Sequence, residues 1–388
     1  MSASQIPNLN SLRRGGSRLR GRGRGQAPDG SGPSRGLSKD EVIQRTDLDA
    51  STSRLSAVET GYLDDPFAVL LTTGGEATRR LPLMNRGTYV RTTAIDRLVD
   101  GFCQSQEGQC KQIISLGAGS DTRFFRLKQK YPDINLVYHE LDFPTNASAK
   151  IRRIRSGPVR NTINRICGWT FDEAFVSQVG EDPTGLHAPD YHIHPIDLRS
   201  LPGGSLHREL GSAKVLEAFD TEISTLLISE CCLIYLSPSD ANSVLSYFTS
   251  IFKSTSMGIV IYEPIRPDDA FGRTMVANLT VRGIHLQTLQ TYATLEAQTR
   301  RLEQHGFGVN QDGGIGAADV EYLWQSWVDG GEKERVEGLE WMDEVEEWKL
   351  LMQHYCVVWG WRGLDASGAA FTTWKNLSSQ VTDVEEHR

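Results

Sequence analysis

The 388-residue sequence predicts an α/β fold in which a mostly parallel sheet is covered by helices. Three observations carry that expectation. Short apolar runs of strand length alternate with longer helical patterns from about residue 111 onward. One of them, Ile113–Leu116, passes directly into Gly117-Ala118-Gly119-Ser120-Asp121-Thr122, and a helical pattern follows. The next run, beginning at Leu136, ends in His139-Glu140-Leu141-Asp142, which sets an acidic side chain at a second strand end. A strand, a glycine turn, a helix and then a strand closed by an acid describe a βαβ nucleotide site.

Taken in order, residues 1–39 read as a disordered extension. Residues 1–36 hold seven arginines and one aspartate, a net +6 against −8 for the whole chain, so the remainder carries −14. The Arg/Gly run Arg13–Arg24 has no apolar partner with which to build a core, so it reads as a solvated extension. A folded body this acidic argues against a nucleic-acid surface, which needs clustered cations to displace phosphate counterions.

Residues 40–110 form a helical cover. Asp40–Leu70 is partly helical, with Ser51-Thr52-Ser53 as capping residues before Arg54–Glu59, and Asp64-Asp65-Pro66 redirects the chain. From Tyr89, the positions Tyr89, Ile95, Leu98, Val99 and Phe102 give a helix with one buried face. These elements precede the first core strand and are placed to cover the site.

Residues 111–361 form the core. Strands are expected at Ile113–Leu116, Leu136–Leu141, His192–Ile196, Leu226–Cys231, Gly258–Tyr262 and His354–Trp361. Helices are expected at Thr122–Lys130, Thr145–Ile154, Pro238–Phe252, Leu286–His305, Ala318–Val328 and Trp341–Leu351. No low-complexity linker interrupts residues 50–361, which favours one elaborated domain. Residues 362–388 form a tail of little regular pattern. No apolar run approaches the roughly 20 residues needed to span a bilayer, so no stable membrane association is expected. The six cysteines form no CxxC pair, and the start of the chain lacks an apolar leader; a reducing, cytoplasmic location with some nuclear presence follows. Cys231 and Cys232 are expected to alternate across one strand. A monomer is the expected state.

The chemistry concentrates at the glycine turn. Gly117 and Gly119 allow backbone conformations and close approaches that a Cβ would obstruct, and the following helix turns free N–H groups toward a ligand. Asp142 is placed to accept both hydroxyl hydrogens of a ribose. Glu230 and Asp197 follow strands at the rim where ligands of parallel sheets collect, whereas Glu263 adjoins Pro264 and reads equally as a turn residue. His192 and His194 share one face of a strand, with Asp190 and Asp197 nearby, but no cysteine or suitably spaced third histidine supports zinc, so a hydrogen-bonding or packing role is expected and no metal. The loop lacks the third glycine of a dinucleotide site, Thr122 standing there, and no Tyr-x-x-x-Lys pattern supports a nicotinamide oxidoreductase. Neither a Gly-x-Ser-x-Gly elbow nor a Walker loop is present.

Several stretches together resemble the leucine carboxyl methyltransferase 1 family. They are Asn85–Arg91, Ser115–Arg123, Glu140–Pro144, Ile196–Arg199 and Leu227–Tyr235, with weaker support from Tyr262–Pro264, Phe271–Arg273 and His354–Cys356. In order, they extend over about residues 50–361. The resemblance implies a class I S-adenosylmethionine-dependent methyltransferase fold, with S-adenosyl-L-homocysteine as product. It also implies an acceptor, the C-terminal leucine α-carboxylate of the protein phosphatase 2A catalytic subunit, whose tail is the expected partner. Arg91 would bind the cofactor carboxylate, the Gly117 loop its methionyl part and Asp142 the ribose. Asp197 and Leu198 would meet the adenine, and Glu230 would lie near the amino group. Arg54 stands where relatives carry lysine, and its planar fork differs from an ammonium. Tyr235 and Arg266, beyond sheet strands, are candidates for positioning the acceptor; no residue is assigned as acid or base. Two alternatives belong beside this reading: a noncatalytic phosphatase-binding protein on the same scaffold, and a tRNA-modifying relative. The latter is usually longer and carries repeats that this chain lacks.

Overall fold

In a computed structural model, the described residues are 37–72, 78–169, 185–206, 218–309, 312–363 and 369–381. The Arg/Gly-rich extension expected over residues 1–39 lies outside them except for its last three residues, as do parts of the tail. Eight strands form one sheet: β1 (Lys111–Leu116), β2 (Leu136–Asp142), β3 (Leu186–His187), β4 (Tyr191–Pro195), β5 (Ser224–Glu230), β6 (Met257–Pro264), β7 (Gly314–Asp319) and β8 (Tyr355–Arg362). Their order is β3-β4-β2-β1-β5-β6-β8-β7. The five strands β4-β2-β1-β5-β6 run parallel. β8 pairs antiparallel with β6, β7 with β8, and β3 with β4. This is the α/β fold expected, a mostly parallel sheet covered by helices. The chain reverses its direction of winding between β1 and β5, which opens a crevice at the strand ends where such folds take ligands.

β1 is buried throughout, as a strand covered on both faces should be. One apolar layer joins Ile113, Tyr138, Leu226 and Val260 to the helices on one face. The other joins Ile114, Leu141, Leu227 and Ile259 to the helix Pro238–Ile251. Four helices precede the sheet: α1 (Lys39–Gln44), α2 (Thr46–Glu59), α3 (Pro66–Leu71) and α4 (Pro82–Gln104). Ser38 and Glu41 close a reciprocal capping box at α1. Asp65 caps α3, accepting the Phe67 and Ala68 N–H groups at 3.1 and 3.2 Å. The expectation that Ser51-Thr52-Ser53 cap a helix is corrected, because these residues lie inside α2. Their hydroxyls donate back to the carbonyls of Leu48 and Asp49, a bond open to small polar residues within a helix.

Three further expectations change. Cys231 lies beyond β5 with φ of 51°, held by its N–H to the Tyr262 carbonyl at 2.9 Å, so the two cysteines do not share a strand. Leu286–His305 is helical only over Leu295–Gln304, where the Thr294 hydroxyl accepts the Ala297 N–H. Within the tail, Phe371 and Trp374 are buried, and Trp374 donates its indole N–H to the Leu98 carbonyl at 2.9 Å. Among the described residues, no helix is long and apolar enough to cross a membrane.

Candidate functional site

A cavity of about 1170 Å³ opens at the C-terminal ends of β1, β2, β4 and β5 and is roofed by α1, α2 and α4. It brings together Arg54, Arg91, Gly117, Asp142, Asp197, Leu198 and Glu230, residues more than 170 positions apart at the extremes, and Tyr235 joins them. Arg266 is not in its wall. That residue has φ of 56° and directs its guanidinium to Asp319 at 3.1 Å, so the structure does not bring it to the acceptor side.

The turn after β1 places Gly117 and Gly119 at φ of 61° and 49°, where a side chain is disfavoured. The Gly117 N–H donates to the Leu141 carbonyl at 2.7 Å, continuing the β1–β2 ladder into the turn. A Cβ on Gly117 would lie 2.6 Å from the Cys232 sulfur, and one on Gly119 would collide with the Asp47 carboxylate. Asp47, from α2, accepts the Ser120 N–H and hydroxyl at 2.7 and 2.8 Å. The cover is therefore bonded directly to the glycine turn. Asp142 accepts the Gly119 and Phe143 N–H groups at 2.6 Å each. Burial, reinforced by the Asp47 charge and opposed by the Gly119 N–H, pushes its carboxyl up to about 6.

Asp197 caps the short turn Leu198–Ser200 and accepts the Arg199 N–H at 2.9 Å. The Arg199 guanidinium holds Asp197 at 2.6 Å and reaches Asp40 of α1 at 2.7 Å, a second tie between cover and sheet. At the opposite end, Arg91 on α4 donates from Nε to Glu230 at the end of β5, and its guanidinium lies 4.5 Å from the centre of the Tyr262 ring. Arg123, 1 % exposed, bonds Asp96 at 2.9 Å and Glu230 at 3.3 Å and also pairs with Asp121. Burial alone would raise the Glu230 carboxyl; Arg91 and Arg123 outweigh it and hold that carboxyl below its usual range. Arg54 pairs with Asp65 at 3.3 Å, and Thr122 donates to the same carboxylate at 2.5 Å. Thr122 thus closes the turn through a side-chain bond where a dinucleotide loop would have glycine.

Other candidates resolve differently. Glu263 is wholly buried, pairs with Arg301 at 3.0 Å and accepts from Gln298 at 3.1 Å, a structural role. His192 and His194 form hydrogen-bonded pairs with His187 at 3.3 Å and His139 at 3.1 Å, away from the cavity. Asp47 and Tyr262 were not assigned roles from the sequence. Asp47 has no local signature, since its partner is 73 residues away, whereas Tyr262 lies in a strand end already marked as rim.

The arrangement is polar in a particular sense. One end offers carboxylates to hydroxyl or amine donors; the other offers guanidinium groups beside Glu230, suited to a group bearing both a carboxylate and an ammonium. No histidine lines the described wall. Burial pushes the Cys231 thiol up to about 11 and the Cys232 thiol well above its ordinary value, so neither supplies a thiolate at neutral pH. The carboxylates and guanidinium groups suit the wall to binding and orienting a ligand.

The leucine carboxyl methyltransferase family model matches residues 42–249. Leucine carboxyl methyltransferase 1 of Aspergillus fumigatus is 52% identical over 407 residues, covering 99% of this chain and 100% of that protein. The protein of the same name from Emericella nidulans is 53% identical over 399 residues, covering 99% and 100%. That from Schizosaccharomyces pombe is 37% identical over 321 residues, covering 81% and 93%.

Proposed function

From a chain that belongs to the leucine carboxyl methyltransferase family, and so is an S-adenosylmethionine-dependent methyltransferase, we infer a specific reaction. It methylates the α-carboxylate of the C-terminal leucine of the protein phosphatase 2A catalytic subunit, giving the methyl ester and S-adenosyl-L-homocysteine. The observation that carries the reading is the split character of one cavity wall, with Arg91 and Glu230 at one end and Asp142 and Asp197 at the other.

When bound, S-adenosylmethionine supplies an electrophilic methyl group on a sulfonium sulfur. Asp142 accepts from the ribose hydroxyls, while Asp197 and Leu198 border the adenine. Arg91, with Arg54 nearby, receives the cofactor's carboxylate, and Glu230 receives its ammonium. The acceptor carboxyl has a reference pKa near 3.3–3.7 and is already ionised at neutral pH, so no base is required. The protein's task is alignment and exclusion of water, which can be worth several kcal/mol, with about 7–11 reached in well-oriented systems. Tyr235, whose hydroxyl burial keeps protonated, lines the same cavity and would donate to the acceptor and hold it in line.

Six unpaired cysteines suit a reducing compartment, and we place the enzyme in the cytoplasm with some nuclear presence. Transfer of radiolabelled methyl to the purified phosphatase tests the reaction. Label should appear on the intact protein and vanish when the terminal leucine is deleted; equal labelling of both would reject the assigned acceptor.

A further inference from the structure

Six arginines line the cavity among the described residues: Arg54, Arg79, Arg80, Arg91, Arg199 and Arg282. Five are matched to carboxylates: Arg54 to Asp65, Arg79 to Glu340, Arg91 to Glu230, Arg199 to Asp197, and Arg282 to Asp49. Arg80 differs. Its Nη2 donates at 3.4 Å both to the Asp49 carboxylate, whose other oxygen engages Arg282, and to the Asp49 carbonyl, and its Nε is buried without a partner. Two cations thus flank one anion, and the Arg80 guanidinium, partly exposed in the cavity wall, is held there only by long contacts.

We propose that Arg80, with Arg282 across Asp49, forms a subsite for an anionic side chain in the acceptor's tail, upstream of the reacting carboxylate. This rests on the carboxyl-terminal acceptor proposed above. Arg80 stands two residues before α4 and Arg91 nine residues past the helix's first, so about 14 Å of helix axis and a short extended step separate them along one cavity wall. An extended chain rises about 3.3 Å per residue, so a tail reaching from Arg80 to the Arg91–Glu230 end needs about five residues. That distance separates Arg80 from the methyl acceptor itself and from the cofactor's amino-acid end. A planar guanidinium with free N–H groups suits a carboxylate, and the long Asp49 contact is one that a better-placed carboxylate can replace. Asp49 then stays neutralised by Arg282.

The test uses the full-length phosphatase catalytic subunit, with each of the five residues before its terminal leucine replaced in turn by aspartate and by asparagine. Initial rates are measured with the unaltered enzyme, Arg80→Gln and Arg80→Lys, and cofactor affinity is measured by calorimetry for each. At one position aspartate should lower KM about fivefold relative to asparagine. That ratio should fall to about one in Arg80→Gln and return in part in Arg80→Lys, with kcat and cofactor affinity unchanged. A ratio near one at every position, a ratio that survives Arg80→Gln, or a parallel loss of cofactor affinity would overturn the subsite. Absence of label on the unaltered acceptor would instead defeat the carboxyl-terminal reading on which the subsite rests.

Discussion

The carboxylate of Asp142 accepts the Gly119 backbone N–H at 2.6 Å, tying the end of β2 to the turn that follows β1. The same carboxylate is the proposed ribose acceptor, so one side chain shapes the loop and binds the ligand. Its ionised form does both. Because burial raises its pKa to about 6, cofactor affinity should hold from pH 8 to near 6.5 and weaken as pH falls through 6. Hydroxyl donors favour the ionised carboxylate, so the complex titrates lower than the free protein, and the loss approaches tenfold per pH unit below 6. Calorimetry across pH 5–8 reads this directly, and a flat profile would remove Asp142 from the ribose. Asp142→Asn should weaken binding by about tenfold to a hundredfold, the worth of hydrogen bonds to a charged group, and flatten the profile.

Arg123 is the best-buried cation at the site and serves three carboxylates, Asp96, Asp121 and Glu230. Arg123→Met keeps the volume but leaves those carboxylates without their shared counter-ion. Removing one partner from a buried ion pair costs about 3–5 kcal/mol, and the loss should appear as a lower urea midpoint at unchanged slope. A midpoint within experimental scatter of the unaltered protein would show that Arg91, which pairs with Glu230, and Arg126, which also pairs with Asp96, compensate.

How much of this was legible in the sequence depends on the range of the contacts involved. Ile113–Leu116 and Gly258–Tyr262 announce buried strands because a parallel sheet covered on both faces needs unbroken apolar runs. β7 does not announce itself, because Gly314-Ile315-Gly316-Ala317-Ala318 is shaped to fit a neighbour. The Trp361 and Trp359 rings lie where Cβ atoms on Gly314 and Gly316 would be, so the low strand propensity of those glycines is matched by close packing on β8. Asp142 and Glu230 could be placed from strand ends alone. Arg91 could not, because its position depends on α4 crossing the ends of β5 and β6, and only the resemblance pointed to it. Arg266 fails for the complementary reason: it follows a strand, but its left-handed backbone turns the side chain toward Asp319.

The histidines of β2, β3 and β4 give a stability prediction. His139 and His192 are register partners with rings 4.7 Å apart, and His139 also bonds His194. Burial, with neighbouring imidazoles adding to it, lowers His192 to about 4, His194 to about 3 and His139 well below its usual range. The unfolded chain therefore binds more protons below about 6.5, and the stability these groups contribute at neutral pH is lost as pH falls from there toward 4. Glu140 and Asp142, raised to about 7 and about 6, act in the opposite sense. A comparison of variants isolates the histidines: His139→Phe keeps an aromatic ring beside Phe219 and should show a smaller fall in melting temperature between pH 7 and 5 than the unaltered protein. Identical falls would show that the row does not govern acid stability.

The tie between the cover and the glycine turn predicts non-additivity. Gly119→Ala meets two obstacles, a left-handed backbone that disfavours a side chain and the Asp47 carboxylate in the space its Cβ would take. The first costs about 1–2 kcal/mol and cannot be relieved from outside the turn. The second disappears if Asp47 is shortened. Asp47→Ala alone should release the start of α2 from Ser120 and weaken cofactor retention, while lowering the Asp142 pKa by removing a neighbouring like charge. Combining the two should therefore cost less than the sum of the single changes, with a coupling of about 0.5–3 kcal/mol read from a denaturation cycle of all four proteins. If the costs add, the alanine is accommodated without displacing Asp47, and the cover is held to the sheet through Arg199 and Asp40 instead.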